Sequence, residues 1–143
     1  FIFFIAVALT ISFLKQPLGE IQLLNKFLAI IMGLALLILN LVISGASLVN
    51  LKDSWRVGVL EDQKTELITS NIYRFTRNPY FVSYFLMFAS YTVIQQNLIL
   101  LGLSLLGFLL IHKMIIKEEK YLYTKHGDTY LQYKKKVPRY IRL

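Results

Sequence analysis

From Asn78 to His112 the chain runs 35 residues without a charged side chain. A single α-helix of that length would extend about 52 Å, far more than the roughly 30 Å of a bilayer's hydrocarbon core. The run must therefore turn back on itself, and Gln95-Gln96-Asn97 is the obvious place. This predicts a helical hairpin of residues 79–94 and 98–116. Its first arm is short, so it is either tilted or stops before crossing the full bilayer. A second chargeless run, residues 27–51 between Lys26 and Lys52, has the length of one crossing, and Ala29 and Gly33 on it would let another helix approach closely. Residues 1–14 are apolar and read as part of a fourth span completed upstream. They carry neither the basic start nor the small-residue cleavage site of a signal peptide. Lys15-Gln-Pro-Leu-Gly19 interrupts them. The expectation is an all-α, multi-span helix bundle, a single membrane-embedded domain over residues 1–143.

Charge orients these spans. Of the 16 Lys and Arg, five lie in 52–79 (Lys52, Arg56, Lys64, Arg74, Arg77) and nine in 113–143, leaving Lys15 and Lys26 elsewhere. With four spans, the two cation-rich segments share one face, and the excess of cations assigns that face to the cytosol. A net charge of +8 is then explained by anionic headgroups rather than by nucleic acid, because the basic residues flank apolar spans. There is no cysteine, which excludes disulfides, thiolate catalysis and cysteine metal sites. Two histidines, His112 and His126, make no metal site. The missing cysteines and organelle signals suggest a prokaryotic inner membrane.

Two segments on the cytosolic face carry candidate chemistry. In "YRFTRNPYF", residues 73–81, Asn78 is a favoured N-cap and Pro79 a favoured first helical residue. A span therefore begins there, its free N–H groups suited to an anion, with Arg74 and Arg77 adding charge. The plainer explanation is a capped helix with interfacial Arg and Tyr. In residues 117–141, Glu118 and Glu119 follow the hydrocarbon directly, Gly127 reads as a helix stop, and Tyr130 and Tyr133 precede Lys134, Lys135 and Lys136. That pattern is also an amphipathic, lysine-edged cytosolic tail lying at the interface.

Together, "ITSNIYRFTRNPYF" (68–81) and "EEKYLYTKHGDTYLQYKKKVPRYI" (118–141) resemble the integral-membrane methyltransferases typified by isoprenylcysteine carboxyl methyltransferase, and the related phospholipid N-methyltransferases. "SWRVGVLEDQKTELITSNIYR" is similar to the lead-in, so the likeness spans a core of residues 52–143. The resemblance implies S-adenosylmethionine as cofactor, held by Leu67, Ile68, Tyr73, Asn78, Pro79, Tyr80, Phe81 and Glu118 under a cap formed by the tail. It implies a lipid or lipidated acceptor arriving from the bilayer, with an isoprenylcysteine-type carboxylate or a phospholipid amine as the methyl acceptor. Tyr73 and Phe81 suit a cation or the adenine, and Glu118 suits the ammonium or ribose.

The chain departs from the family pattern at four places. Asn71 and Ser83 stand where Gly is frequent, and Phe81 where Tyr is frequent. Met114 stands where the carboxyl methyltransferases place a substrate-binding Arg, four residues before Glu118. Lys113 or Lys117 beside it would substitute only as a point charge. Lys113 and Arg77 are the candidate acceptor contacts. A carboxylate acceptor needs no base, whereas a protonated amine would pass a proton to Glu119 or water. Two other readings use the same residues: an NADPH-dependent membrane reductase of the sterol-reductase type, and a non-catalytic membrane protein of the same fold.

Overall fold

A computed structural model describes residues 2–14, 18–51 and 67–141. Every regular element among them is helical: α1 (Ile2–Phe13), α2 (Lys26–Leu51), a 3-10 turn (Asn71–Arg74), α3 (Pro79–Gln95) and α4 (Leu98–Lys136). The expected helical hairpin is present as α3 and α4. Lys52, Arg56, Lys64, Arg142 and the first part of the lead-in segment lie outside the described residues, as do Lys15, Gln16 and Pro17 of the expected break.

The hairpin turns where the polar triplet stands. Gln96 closes α3 in the left-handed conformation (φ 43°), and Asn97 caps α4 by accepting from the N–H groups of Ile99 (2.9 Å) and Leu100 (3.3 Å). The triplet also fastens the segment ahead of α2. The Gln96 carboxamide accepts from Leu23 N–H (2.8 Å) and Leu24 N–H (2.7 Å) and donates to Leu24 C=O (2.9 Å). Asn97 donates to Leu18 C=O at 2.8 Å. In hydrocarbon an unpaired backbone group is costly, so these bonds let an irregular segment sit against the turn.

Packing follows the small residues. Ala29 is fully buried. A Cβ on Gly33 would collide with Ile94 Cγ1, and Ser90 Oγ donates to the Gly33 carbonyl at 2.8 Å. Close backbone approach with a hydroxyl across the seam is how membrane helices adhere where no hydrophobic drive separates lipid from side chain. Asn40 donates to Ser83 C=O at 2.6 Å one level away on the same seam. On the other side of the hairpin, Phe4, Ala8 and Ile11 of α1 pack on Met87, Phe88 and Leu100.

Among the described residues, two helices, α2 and α4, are long and apolar enough to cross a membrane, and only 11% of each apolar stretch is buried. A soluble core helix would be mostly buried, so the exposure of these apolar faces accords with the expected membrane helix bundle. The apolar stretch of α4 ends at Ile116. The helix continues to Gly127, whose backbone (φ 52°, ψ −125°) breaks it before it resumes to Lys136. The glycine expected to stop the helix therefore kinks it. L side chains rarely adopt that positive φ. The kink folds Tyr130, Tyr133 and Val137 back to pack with Leu67 and Leu122.

Candidate functional site

The two segments singled out in the sequence meet at Glu119. Its carboxylate accepts from Arg77 Nη2 (2.8 Å) and Nε (3.2 Å), and from Arg139 Nη2 (2.9 Å) and Nε (3.1 Å). Asn78 Nδ2 approaches the same oxygen at 3.4 Å and donates to the Arg139 carbonyl at 3.1 Å. Arg77 Nη1 reaches the carbonyls of Lys134 (3.0 Å) and Val137 (2.8 Å), and its own N–H donates to Pro138 C=O at 2.9 Å. Thr76 Oγ1 donates to Arg139 C=O at 3.0 Å. The chain after Gly127 is thus strapped onto the start of α3 by one buried carboxylate between two guanidinium forks. Burial works against the charged form of Glu119, but hydrogen bonds from Arg139 and Arg77 and their charges outweigh it. The carboxyl is held below the usual carboxylate range.

Glu118 is one residue earlier, about 100° round the helix, and its situation is the reverse. It is half-buried and has no hydrogen bond or ion pair among the described residues. Burial, and then the charge of Glu119, push its carboxyl above the usual range. Tyr73 lies close enough that Glu118's charge, after burial, raises its hydroxyl too. Tyr73 is buried, and its carbonyl accepts from the Tyr133 hydroxyl at 2.6 Å. Leu67 packs on the same tyrosine cluster.

The remaining expected residues fall around this point. Asn71 adopts φ 53°, the left-handed turn that Asn tolerates better than most residues, and it opens the 3-10 turn that carries Tyr73. Pro79 is buried at the first helical position of α3. Asn78 sits at the N-cap position but makes no side-chain cap bond, because its carboxamide is turned to Glu119 and the tail. Tyr80 meets Tyr84 edge-on at 5.0 Å, and Phe81 meets the same ring at 6.3 Å. Ile68 is half-buried beside Leu67.

Three expectations meet a different geometry. Arg77 has every guanidinium nitrogen engaged by Glu119 or the tail carbonyls, so it holds the fold rather than standing open to an acceptor. Lys113 is exposed on α4 and about 140° round the helix from Glu118, so the structure does not bring it to that face. Glu119, weighed as a proton acceptor for an amine, is fixed as an anion between two arginines and is a poor base. The arginine partner of this clamp, Arg139, was legible in the sequence only as one more tail cation. A cavity of about 160 Å³ lined by Ile21, Leu24, Gln96 and Leu101 lies at the opposite end of the hairpin and is almost wholly apolar.

An S-adenosyl cofactor carries an ammonium, a sulfonium, a carboxylate and an aromatic base. The donor set fits it: a half-buried carboxylate with no cation partner among the described residues, a tyrosine beside it, and a proline-started helix whose first turn has no side-chain cap. A family model described as phospholipid methyltransferase matches residues 28–129. The protein-S-isoprenylcysteine O-methyltransferase of Schizosaccharomyces pombe is 36% identical over 78 residues, 54% of this chain and 33% of that protein. The one from Xenopus laevis is 33% identical over 84 residues, 56% of this chain and 29% of that protein. The chain thus spans about a third of the length of the curated relatives it matches. No solved structure matches it. The matched stretch includes α3 with its Asn78-Pro79 start, the hairpin turn and the Glu118-Glu119 pair, and the chain belongs to the phospholipid methyltransferase family.

Proposed function

We propose that this chain transfers a methyl group from S-adenosylmethionine to a lipid-like acceptor at the membrane surface. The observation that carries the reading is Glu118, a half-buried carboxylate with no partner among the described residues, beside Tyr73 and next in sequence to the glutamate that straps down the tail. The cofactor supplies an activated methyl on a sulfonium, so the protein's task is alignment and exclusion of water. Glu118 would hold the ammonium or ribose. Tyr73, Tyr80 and Phe81 would offer π faces to the adenine or the sulfonium. Asn78 and Pro79 would place the open first turn of α3 near the carboxylate, with Leu67 and Ile68 forming the apolar wall. The tail strapped by Glu119 would cover them. The cation-rich face, with loop 52–79 and the tail, would be cytosolic.

The acceptor reading follows the charges. Arg77 and Arg139 are both engaged by Glu119, and Met114 stands a helical turn before Glu118, on the same side of α4. A site built around Glu118, with the nearby Arg77 and Arg139 both taken up by Glu119, suits a phospholipid amine better than a prenylcysteine carboxylate. The test is calorimetric titration of detergent-purified protein with S-adenosylhomocysteine, with NADPH in parallel, followed by a screen of amine and carboxylate acceptors. Micromolar binding of the first ligand alone is expected. Binding of NADPH alone would move the reading to a reductase, and binding of neither by folded protein would leave a non-catalytic member of the family.

A further inference from the structure

Among the described residues, two buried side-chain polar atoms have no hydrogen-bond partner: Tyr130 Oη and His126 Nε2, on opposite sides of the Gly127 kink. Native proteins pair nearly all buried polar groups, and one left unpaired calls for a reason. His126 is only half-buried, and no described ring stacks on it. Tyr130 is different. It is 1% exposed, packed on Leu67, Leu122 and Val137, with the Tyr133 ring 6.3 Å away at 65°. Its neighbour Tyr133 is the packing tyrosine, with its hydroxyl bonded to Tyr73 C=O. The charges that act on Tyr130 are those of Glu119, Arg77, Arg139 and Glu118. The three groups of the clamp are already satisfied by one another. Glu118 has no hydrogen bond or ion pair among the described residues, and the unpaired Tyr130 hydroxyl belongs to the tyrosine cluster that Tyr133 joins to Tyr73.

We infer that Tyr130 is a further cofactor-contacting residue, its buried hydroxyl hydrogen-bonding the same polar, amino-acid end of the ligand that Glu118 takes. The inference rests on the proposed reading of the site. A phenol serves this role well, since it can donate to a carboxylate or accept from an ammonium without adding charge beside Glu118. The kink at Gly127 delivers it, because a straight helix would carry residue 130 away from the start of α3. A hydroxyl needed only for packing would have been bonded within the protein, as that of Tyr133 is.

The test is Tyr130→Phe, which removes one oxygen and keeps the ring. S-Adenosylhomocysteine affinity is measured by calorimetry, and the melting temperature of ligand-free protein is measured in the same detergent. The expected result is affinity weakened about tenfold, with a melting temperature equal to or above that of wild type, since the unpaired hydroxyl is gone. Unchanged affinity would overturn the inference. So would a lowered melting temperature, which would show the hydroxyl to be a structural donor. Failure of wild-type protein to bind the ligand at all would instead overturn the reading of the site itself.

Discussion

The two ends of the α3–α4 hairpin solve different problems with polar residues. At the turn, Gln96 and Asn97 carry no charge, and their carboxamides are engaged by backbone groups of residues 18–24 and of α4. At the other end, Glu119 is as completely satisfied by Arg77 and Arg139, yet among the described residues Glu118 beside it and the Tyr130 hydroxyl have no partner. Polar groups that serve only the fold end up paired, since an unpaired one lowers stability. Those left bare within the same packed region mark where a ligand is expected to complete the set.

Substitutions can break this contrast. The largest effect is expected from Arg77→Ala, which leaves Glu119 with one arginine and frees the carbonyls of Lys134 and Val137. Removing one side of a buried ion pair costs about 3–5 kcal/mol, so the melting temperature should fall steeply and limited proteolysis should cut the tail beyond Gly127. A mild change in both would mean that the clamp does not hold the tail.

Next in size is Glu118→Gln. Loss of a charge-assisted contact of about 1.5–3 kcal/mol should weaken S-adenosylhomocysteine at least tenfold by calorimetry while leaving the ligand-free melting temperature level or higher. Gln96→Ala at the far end should show the opposite pattern. It unpairs two N–H groups and lowers stability by about 1–3 kcal/mol, with ligand affinity untouched. If both variants lost affinity equally, the two ends would not be functionally distinct.

Acid separates the neighbouring glutamates. Glu119, depressed below the ordinary 4.5, contributes stability that is present above that pH and lost as pH falls through its lower folded value. Glu118, raised above 4.5, contributes in the reverse sense: its share is full below 4.5 and lost as pH rises through its raised value. Ligand affinity should accordingly increase as pH rises through the raised Glu118 value, and Glu118→Gln should flatten that profile. A profile unchanged in the variant would assign the titration elsewhere. The smallest effect is expected from Met114→Arg, which should improve use of a prenylcysteine carboxylate in an acceptor assay. No gain, with wild type active on amines, would exclude the carboxylate.

Much of this was legible from the chain alone. Hydropathy fixed the hairpin and its turn, because an uncharged run longer than the bilayer is thick has to reverse, and only 95–97 offered the means. Asn78-Pro79 located the start of α3, since the cap preference belongs to the local backbone. Gly33 announced a close approach for the same kind of reason: without a Cβ, the backbone of another helix can reach it. Composition also bounded the chemistry, leaving no cysteine and too few histidines for a metal site.

Which of two adjacent glutamates would be clamped and which left bare could not be read from "EE". Both lie just past the hydrocarbon with lysines on either side, and local pattern treats them alike. The difference arises from about 100° of helical rotation combined with a kink at Gly127 that returns Arg139 to one face and not the other. In the same way Asn78 kept its position as a cap but turned its carboxamide to a partner 41 residues away. Sequence determined where the helices begin, turn and meet the membrane, because hydropathy and capping act over a few residues. Only the tertiary structure decided which charges cancel, because that depends on which side chains the folded chain brings within about 3 Å of each other.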